Sequence, residues 1–436
     1  MIFVIELLIE AFFIYKVWTE RDRTRLFLWF MSAMILLFPS LKIMQGTPAV
    51  NWMFPVVCLF RIIKDKELKM CWKNFPLKYI YGAILLFHFL QPLFSRWQGF
   101  GSTYFYVIQY VMTTYLYVFL GYCIAPDYKK LLENKKWIYI WLIVISGIAV
   151  LCKLLTYNII SSNLSDTSIW VSEKAFTDRG FRVTSTQASP NIFGYVNVLL
   201  AIFILNFKER IRIKCIMFAL ILINIILCGT RAPMVGLVVT LSVYALFVNK
   251  TRLIRVGMIG VVAVIIAGNF VSTDSPMMKY VNGVVDIFTT GGENTGGSSV
   301  DMREEQLSVA TLYAMKNPLW GNGIGYCNAM QNENSLLYIF YDDDLRGAES
   351  LLFYMLIDYG FVYIGFISLF YLGFILFCIR NHIGNKDILM LVIPSIIALL
   401  IHLFTSRPEG SWQIFMPLMG AGLYMLQKRK MLKIIK

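Results

Sequence analysis

Four arginines in this 436-residue chain stand at the ends of apolar runs, where an arginine needs a reason to be. Arg182 closes Arg179-Gly180-Phe181-Arg182, just before Ser189-Pro190-Asn191-Ile192-Phe193-Gly194 opens an apolar run. Arg231 lies in Gly229-Thr230-Arg231-Ala232-Pro233, a tight turn between two apolar runs, and Arg407 lies in a similar turn, Ser406-Arg407-Pro408-Glu409-Gly410. Arg303 starts an amphipathic stretch. A guanidinium keeps its charge at any physiological pH, and its paired N–H donors match two phosphate oxygens. Such a set suits a phosphate or diphosphate carried on a lipid. Local pairing is the plainer alternative: Asp178 is close in sequence to Arg182 and Glu409 to Arg407, whereas no acid lies within the Arg231 turn.

Other residues offer less. Glu349, in Gly347-Ala348-Glu349-Ser350-Leu351, precedes the longest apolar run. The helix dipole alone favours a carboxylate there; the chemical alternative is a general base that accepts or orients a hydroxyl. Asp342-Asp343-Asp344 can hold a hard cation, but reads as a solvated run. Gly321-Asn322-Gly323-Ile324-Gly325 has the spacing of a phosphate loop yet follows Pro318, which ends a helix, so nucleotide binding is not expected. The three histidines, His88, His382 and His402, lie far apart, and no Cys or His spacing suits a metal, so neither metal nor cofactor is expected. His88 and His402 read as packed or hydrogen-bonded side chains. Asn191 and His402 are kept as secondary candidates because both sit at the ends of apolar runs that also border the arginines.

The elements that must position these residues are membrane helices. Hydrophobic residues make up 58% of the chain and charged residues only 15%, beyond what a soluble fold can cover. Apolar runs long enough to cross a bilayer fall at about 2–18, 26–44, 47–60, 78–95, 104–126, 137–155, 189–207, 213–228, 233–248, 254–271, 353–379, 388–405 and 412–427. The fold class is therefore an all-α polytopic membrane protein with about 12–13 transmembrane helices. The first span is interrupted by Glu6 and Glu10, the third is short and carries Pro48 and Pro55, and Gly360 divides an interfacial turn from the true span after it. The N-terminus lacks the basic start and small-residue cleavage site of a signal peptide.

The net charge of +14 reports orientation. Of forty basic residues, twenty-seven fall in alternate loops (19–25, 61–78, 127–136, 208–214, 249–255, 380–387 and 428–436), ten in the intervening loops and three in spans. Basic loops stay in the cytoplasm, which places the C-terminus inside and the four arginines outside. Charge spread over seven short loops argues against a nucleic-acid partner. The chain then divides into N-terminal spans (1–155), an external loop (156–188), spans (189–271), a large external cap (272–349) and C-terminal spans with a basic tail (350–436). The cap is net acidic, with a flexible link at Gly291–Ser299. Asp301 and Glu304 suggest a capped helix over 302–316, with an apolar stripe of Leu307, Ala310, Leu312 and Ala314, lying on the membrane face. Only Cys327 of the eight cysteines is in an external loop, so no external disulfide is expected within the chain.

Three stretches, in this order and on this side, resemble the O-antigen polymerase and ligase superfamily of bacterial glycan assembly. They are Arg182 with Ser189–Gly194, Cys228–Gly236 around Arg231, and Asn317-Pro318-Leu319-Trp320-Gly321 through Gly325, followed by Glu349 to Gly360. The resemblance covers roughly residues 180–410. It implies a GT-C-like membrane glycosyltransferase of the bacterial cytoplasmic membrane, metal-independent and without cofactor. Its donor and acceptor would be undecaprenyl-diphosphate-linked oligosaccharides, worked on at the outer face, with membrane lipid and a chain-length regulator protein as further partners. By the resemblance, Arg182 and Arg231 hold the diphosphate and Glu349 orients the acceptor hydroxyl; Arg303 and Arg407 are further candidate diphosphate ligands by their external placement. Ligases of the superfamily carry a histidine where this chain has Glu349, a departure that favours the polymerase of O-antigen, capsule or exopolysaccharide repeat units. The competing readings are a ligase and, from another class, a lipid-linked oligosaccharide flippase; the absence of visible internal halves and the placing of the charges at one interface weigh against a transporter.

Overall fold

The computed structural model describes residues 2–36, 42–44, 47–48, 50–94, 100–159, 176–177, 180–187, 189–247, 300–330, 350–382, 385–406 and 411–434. Most of these residues are helical; two minimal antiparallel ladders and the connecting turns make up the rest. The helices are α1 (Ile2–Thr19), α2 (Arg23–Leu36), α3 (Val50–Lys64), α4 (Leu68–Asn74), α5 (Lys78–Phe94), α6 (Phe100–Thr113), α7 (Leu116–Cys123), α8 (Tyr128–Glu133) and α9 (Lys135–Leu155). They continue with α10 (Pro190–Asn206), α11 (Ile211–Cys228), α12 (Arg231–Phe247), α13 (Val300–Met315), α14 (Tyr326–Met330), α15 (Leu351–Arg380), α16 (Lys386–Thr405) and α17 (Ser411–Ile434). The ladders pair Lys42–Met44 with Thr47–Pro48 and Phe176–Thr177 with Gly180–Phe181.

Helix occupies at least part of every expected span except 254–271, which lies outside the described residues; the end of span 26–44 and the start of span 47–60 instead form the ladder of Lys42–Met44 with Thr47–Pro48. The expected span 104–126 is broken at Thr114–Tyr115 into α6 and α7. Four helices, α9, α11, α15 and α16, are each long and apolar enough to cross a membrane, while α10 and α12 are apolar but shorter. Helices α4 and α5 meet at a bend of 109°.

Helix α10 is the axis of the bundle. Ser189 caps it, its Oγ accepting from the Ile192 N–H at 3.3 Å, and Pro190 opens it where a missing N–H costs nothing. From Ile192 to Leu205 it is buried on every side, the pattern of a helix enclosed by others. It packs on α11, α12 and α16, with α12 also lying along α16. Close approach uses small residues, as expected where packing drives helix association in lipid. A Cβ on Gly194 would stand 2.4 Å from Pro233 Cγ, and one on Gly420 of α17 would stand 1.9 Å from the Val118 carbonyl oxygen of α7.

Ion pairs gather at the end where α1, α8 and α17 bring their basic loops. Arg429 binds Asp387 through two bonds of 2.7 and 2.9 Å, Lys130 lies 3.5 Å from Asp22, and Arg23 and Lys135 pair with Glu67 and Glu209. The other end carries the C-termini of α2, α9, α11 and α16 and the N-termini of α10, α12 and α15. It is built from neutral polar groups and the arginine turns.

The cap helix departs from its expected form. It begins at Val300, so Asp301 lies in its first turn and does not cap it. Its buried face is Gln306, Val309, Ala310, Tyr313 and Ala314, packed on Phe353, Tyr354, Leu356 and Ile357 of α15. Of the expected apolar stripe, Ala310 and Ala314 face α15, while Leu307 and Leu312 are exposed.

Candidate functional site

The segment 181–187 is the platform of the site. Five successive residues, Val183 to Gln187, are buried, though four of them are polar. Four of them reach backbone carbonyls of neighbouring helices. The Val183 N–H donates to the Leu227 carbonyl of α11 at 3.0 Å. Ser185 Oγ donates to the Ile145 carbonyl of α9 at 2.7 Å, and Thr186 Oγ1 and Gln187 Nε2 both donate to the Ile35 carbonyl of α2, at 2.8 and 2.7 Å. Lys153 Nζ, at the end of α9, donates to the Phe181 carbonyl at 3.0 Å. Helix termini leave carbonyls without intrahelical partners, and bonds to such buried groups are costly to omit. The run is thus fastened to the ends of α2 and α11 and to the middle of α9.

This platform sets Arg182 against the second arginine turn. Helix α11 ends at Gly229 in the left-handed conformation (φ 64°), with the Gly229 N–H donating to the Ile226 carbonyl at 3.0 Å. A Cβ on Gly229 would lie 3.0 Å from Arg182 Cγ. The stem of Arg182 therefore lies over a glycine two residues before Arg231. Arg231 is the first residue of α12 and is buried, at 8% exposure; Arg182 is half-buried. The structure thus brings together two arginines that stand 49 positions apart in the chain.

The same contacts extend to α16. The Tyr195 hydroxyl of α10 donates to the Ala232 carbonyl beside Arg231, and lies 3.3 Å from Thr405 Oγ1. His402 stacks flat on the Tyr195 ring, centroids 3.8 Å apart, and is fully buried. Both its ring nitrogens lack a hydrogen-bond partner among the described residues. It sits within the helix packing beneath the site. One turn on, the Leu351 N–H donates to the Ser406 carbonyl at 3.3 Å, which ties the start of α15 to the end of α16. Glu349 and Arg407, the neighbours of Ser350 and Ser406 in sequence, lie outside the described residues, as do Asp178 and Asp342–Asp344. Asn191 is half-buried in the first turn of α10. Arg303 donates to Gln306 Oε1 at 3.0 Å on its own helix, which packs on α15.

The glycine-rich stretch 321–325 is a clamp on α15. Helix α15 breaks at Gly360 (φ 75°, ψ −175°), a conformation essentially confined to glycine. Pro318, Asn322 and Gly323 fill the break: the Phe361 N–H donates to the Pro318 carbonyl at 2.9 Å, and Asn322 and Gly323 N–H groups donate to the Ile357 and Asp358 carbonyls at 3.0 Å. The buried Asp358 carboxylate accepts from the Gly325 and Cys327 N–H groups at 2.9 and 2.8 Å. Burial and the neighbouring Asp358 and Cys327 raise the Tyr326 hydroxyl above its ordinary range. Trp320 stacks between Phe87 and Phe94 of α5, and Gln91 donates to the Trp320 and Asp358 carbonyls. The Gly325 and Cys327 N–H groups thus serve the protein's own Asp358.

Sequence reasoning missed Lys153, Asn158, the buried run 184–187 and the role of Asp358. The run was legible in part, since four polar residues between two apolar runs signal a loop with partners; which helix ends receive it was not. No group of metal-ligating side chains occurs among the described residues, and no disulfide joins the eight cysteines.

No curated protein matches this chain. Residues 216–370 match the family model described as O-antigen ligase. That span contains the Arg231 turn, the Asn317–Gly325 clamp and the break at Gly360. Members of this family are membrane glycosyltransferase-like enzymes. The match over residues 216–370 is consistent with the O-antigen polymerase and ligase superfamily that the arginine motifs resemble.

Proposed function

We propose that the protein joins oligosaccharide repeat units carried on polyprenyl diphosphate, at the outer face of the bacterial cytoplasmic membrane. The observation that carries this reading is the packing of Arg182 on Gly229 beside the buried Arg231. A growing glycan on one polyprenyl diphosphate is transferred to a sugar hydroxyl of a second lipid-linked unit. The glycosidic bond to the diphosphate breaks as the new one forms, and the acceptor proton leaves with a base. Charge develops on the departing diphosphate, where fixed guanidinium donors lower the barrier most. Both substrates are tethered in one membrane, so much of the remaining catalysis is positioning.

Arg182 and Arg231 are the diphosphate ligands in this reading, and Glu349 orients or deprotonates the acceptor hydroxyl. Arg303 and Arg407 supply further positive charge to the same substrates. Polymerase is favoured over ligase by Glu349 standing where ligases carry a histidine. The C-terminus is cytoplasmic, a chain-length regulator is the natural protein partner, and nucleic acid is not a substrate.

The test is a gene deletion with analysis of the surface glycan. Loss of a polymerase leaves single repeat units on the surface anchor. Loss of a ligase leaves none attached, and loss of a flippase leaves lipid-linked units inside the cell; either of these outcomes refutes the assignment.

A further inference from the structure

The Arg182 backbone is held by one carboxamide. Helix α9 closes at Thr156 in the left-handed conformation (φ 48°), with the Tyr157 N–H donating to the Cys152 carbonyl at 3.1 Å. This reversal delivers Asn158 to the 181–187 platform, fully buried. Asn158 Oδ1 accepts from the Thr184 N–H at 3.0 Å, and Asn158 Nδ2 donates to the Arg182 carbonyl at 3.1 Å. The pairing also fixes the orientation of the amide, because a backbone N–H can only donate and a carbonyl can only accept. Between these two bonds, Val183 turns its N–H the other way, to Leu227. The stretch 182–184 therefore lies between the ends of α9 and α11 like a strand between two neighbours. Aspartate at 158 would keep the bond to Thr184 but oppose the Arg182 carbonyl with a second acceptor.

Gly229 completes the fit from the far side. Its missing side chain is the space in which the Arg182 stem lies, 3.0 Å from where a Cβ would stand. We infer that Asn158 is a positioning residue for the arginine pair, fixing the Arg182 backbone so that its side chain lies across Gly229 beside the Arg231 turn. The inference rests on the proposed role of those arginines in holding a diphosphate. It assigns to the end of α9, far from both motifs in sequence, a part in presenting their charge.

A residue that acts only through Arg182 has no effect once Arg182 is gone, whereas one that merely holds the fold acts in both backgrounds. The experiment measures calorimetric binding of undecaprenyl diphosphate to the detergent-solubilised full chain. Asn158→Asp and Asn158→Ala should each weaken binding about tenfold, the scale of one misplaced charge-assisted contact. Arg182→Ala should weaken it at least as much, and the double variant Asn158→Ala/Arg182→Ala should bind no more weakly than Arg182→Ala alone. If Asn158→Ala does not fold, Asn158→Asp and Gly229→Ala carry the same cycle. Wild-type affinity in Asn158→Asp, or a double variant that accumulates both losses, overturns the inference and leaves the arginines' role intact. Unaltered binding in Arg182→Ala, or no binding to the wild-type chain, overturns the proposed function and this inference with it.

Discussion

At the scale of single residues, the chemistry of the site is written in arginine and its supports in asparagine, glycine and aspartate. The two arginines were legible because a cation at the end of an apolar run is costly and scarce. Asp358 was not legible as a structural acid, since its partners, the Gly325 and Cys327 N–H groups, come from a loop more than thirty residues earlier. Its role makes a prediction. Asp358→Asn replaces one acceptor with a donor that faces an N–H, so the chain should lose about 1–3 kcal/mol of stability; a thermal melt in detergent measures it. The arginine pair makes another. Arg231→Lys keeps the charge but loses the planar fork, so polymer should persist at reduced length, where Arg231→Ala abolishes it; glycan gels of cells at matched expression read both.

At the scale of elements, the helices were legible from apolar run length, and the breaks in them only in part. Gly360 could be read as a divider because a lone glycine interrupts the longest run, and α15 does break there. The break between α6 and α7 at Thr114–Tyr115 was not legible, because apolar residues continue across it. Within the cap helix, Ala310 and Ala314 face α15, while Leu307 and Leu312 are exposed; the small residues that permit a close helix contact carry little weight in a hydropathy pattern. The clamp gives the test at this scale. A Cβ on Gly360 would stand 2.7 Å from both the Gly321 nitrogen and the Pro318 carbonyl oxygen, in a backbone region that other residues avoid. Gly360→Ala should therefore cost at least about 1–3 kcal/mol and free the 300–330 segment from α15, seen as faster proteolysis within that segment in solubilised protein.

At the scale of the whole molecule, the two ends of the bundle divide the labour. One end holds its loops by ion pairs such as Arg429–Asp387, and the other gathers neutral polar groups around Arg182 and Arg231. The division follows from the charge distribution along the chain, and the proposed orientation in the membrane rests on it. Cysteines placed at exposed positions test it: Glu304→Cys should react with a membrane-impermeant maleimide in intact cells, and Lys129→Cys only after permeabilisation. What the sequence could not disclose is the convergence itself. Arg182 and Arg231 belong to different loops, and the buried run 183–187, bonded to α2, α9 and α11, sets Arg182 against the turn that carries Arg231. That convergence is the centre of the account, and polymer length in cells carrying Arg182→Ala or Arg231→Ala measures its consequence most directly. With expression matched to wild type, each substitution should leave single repeat units on the surface anchor; full-length polymer from either variant would contradict the account.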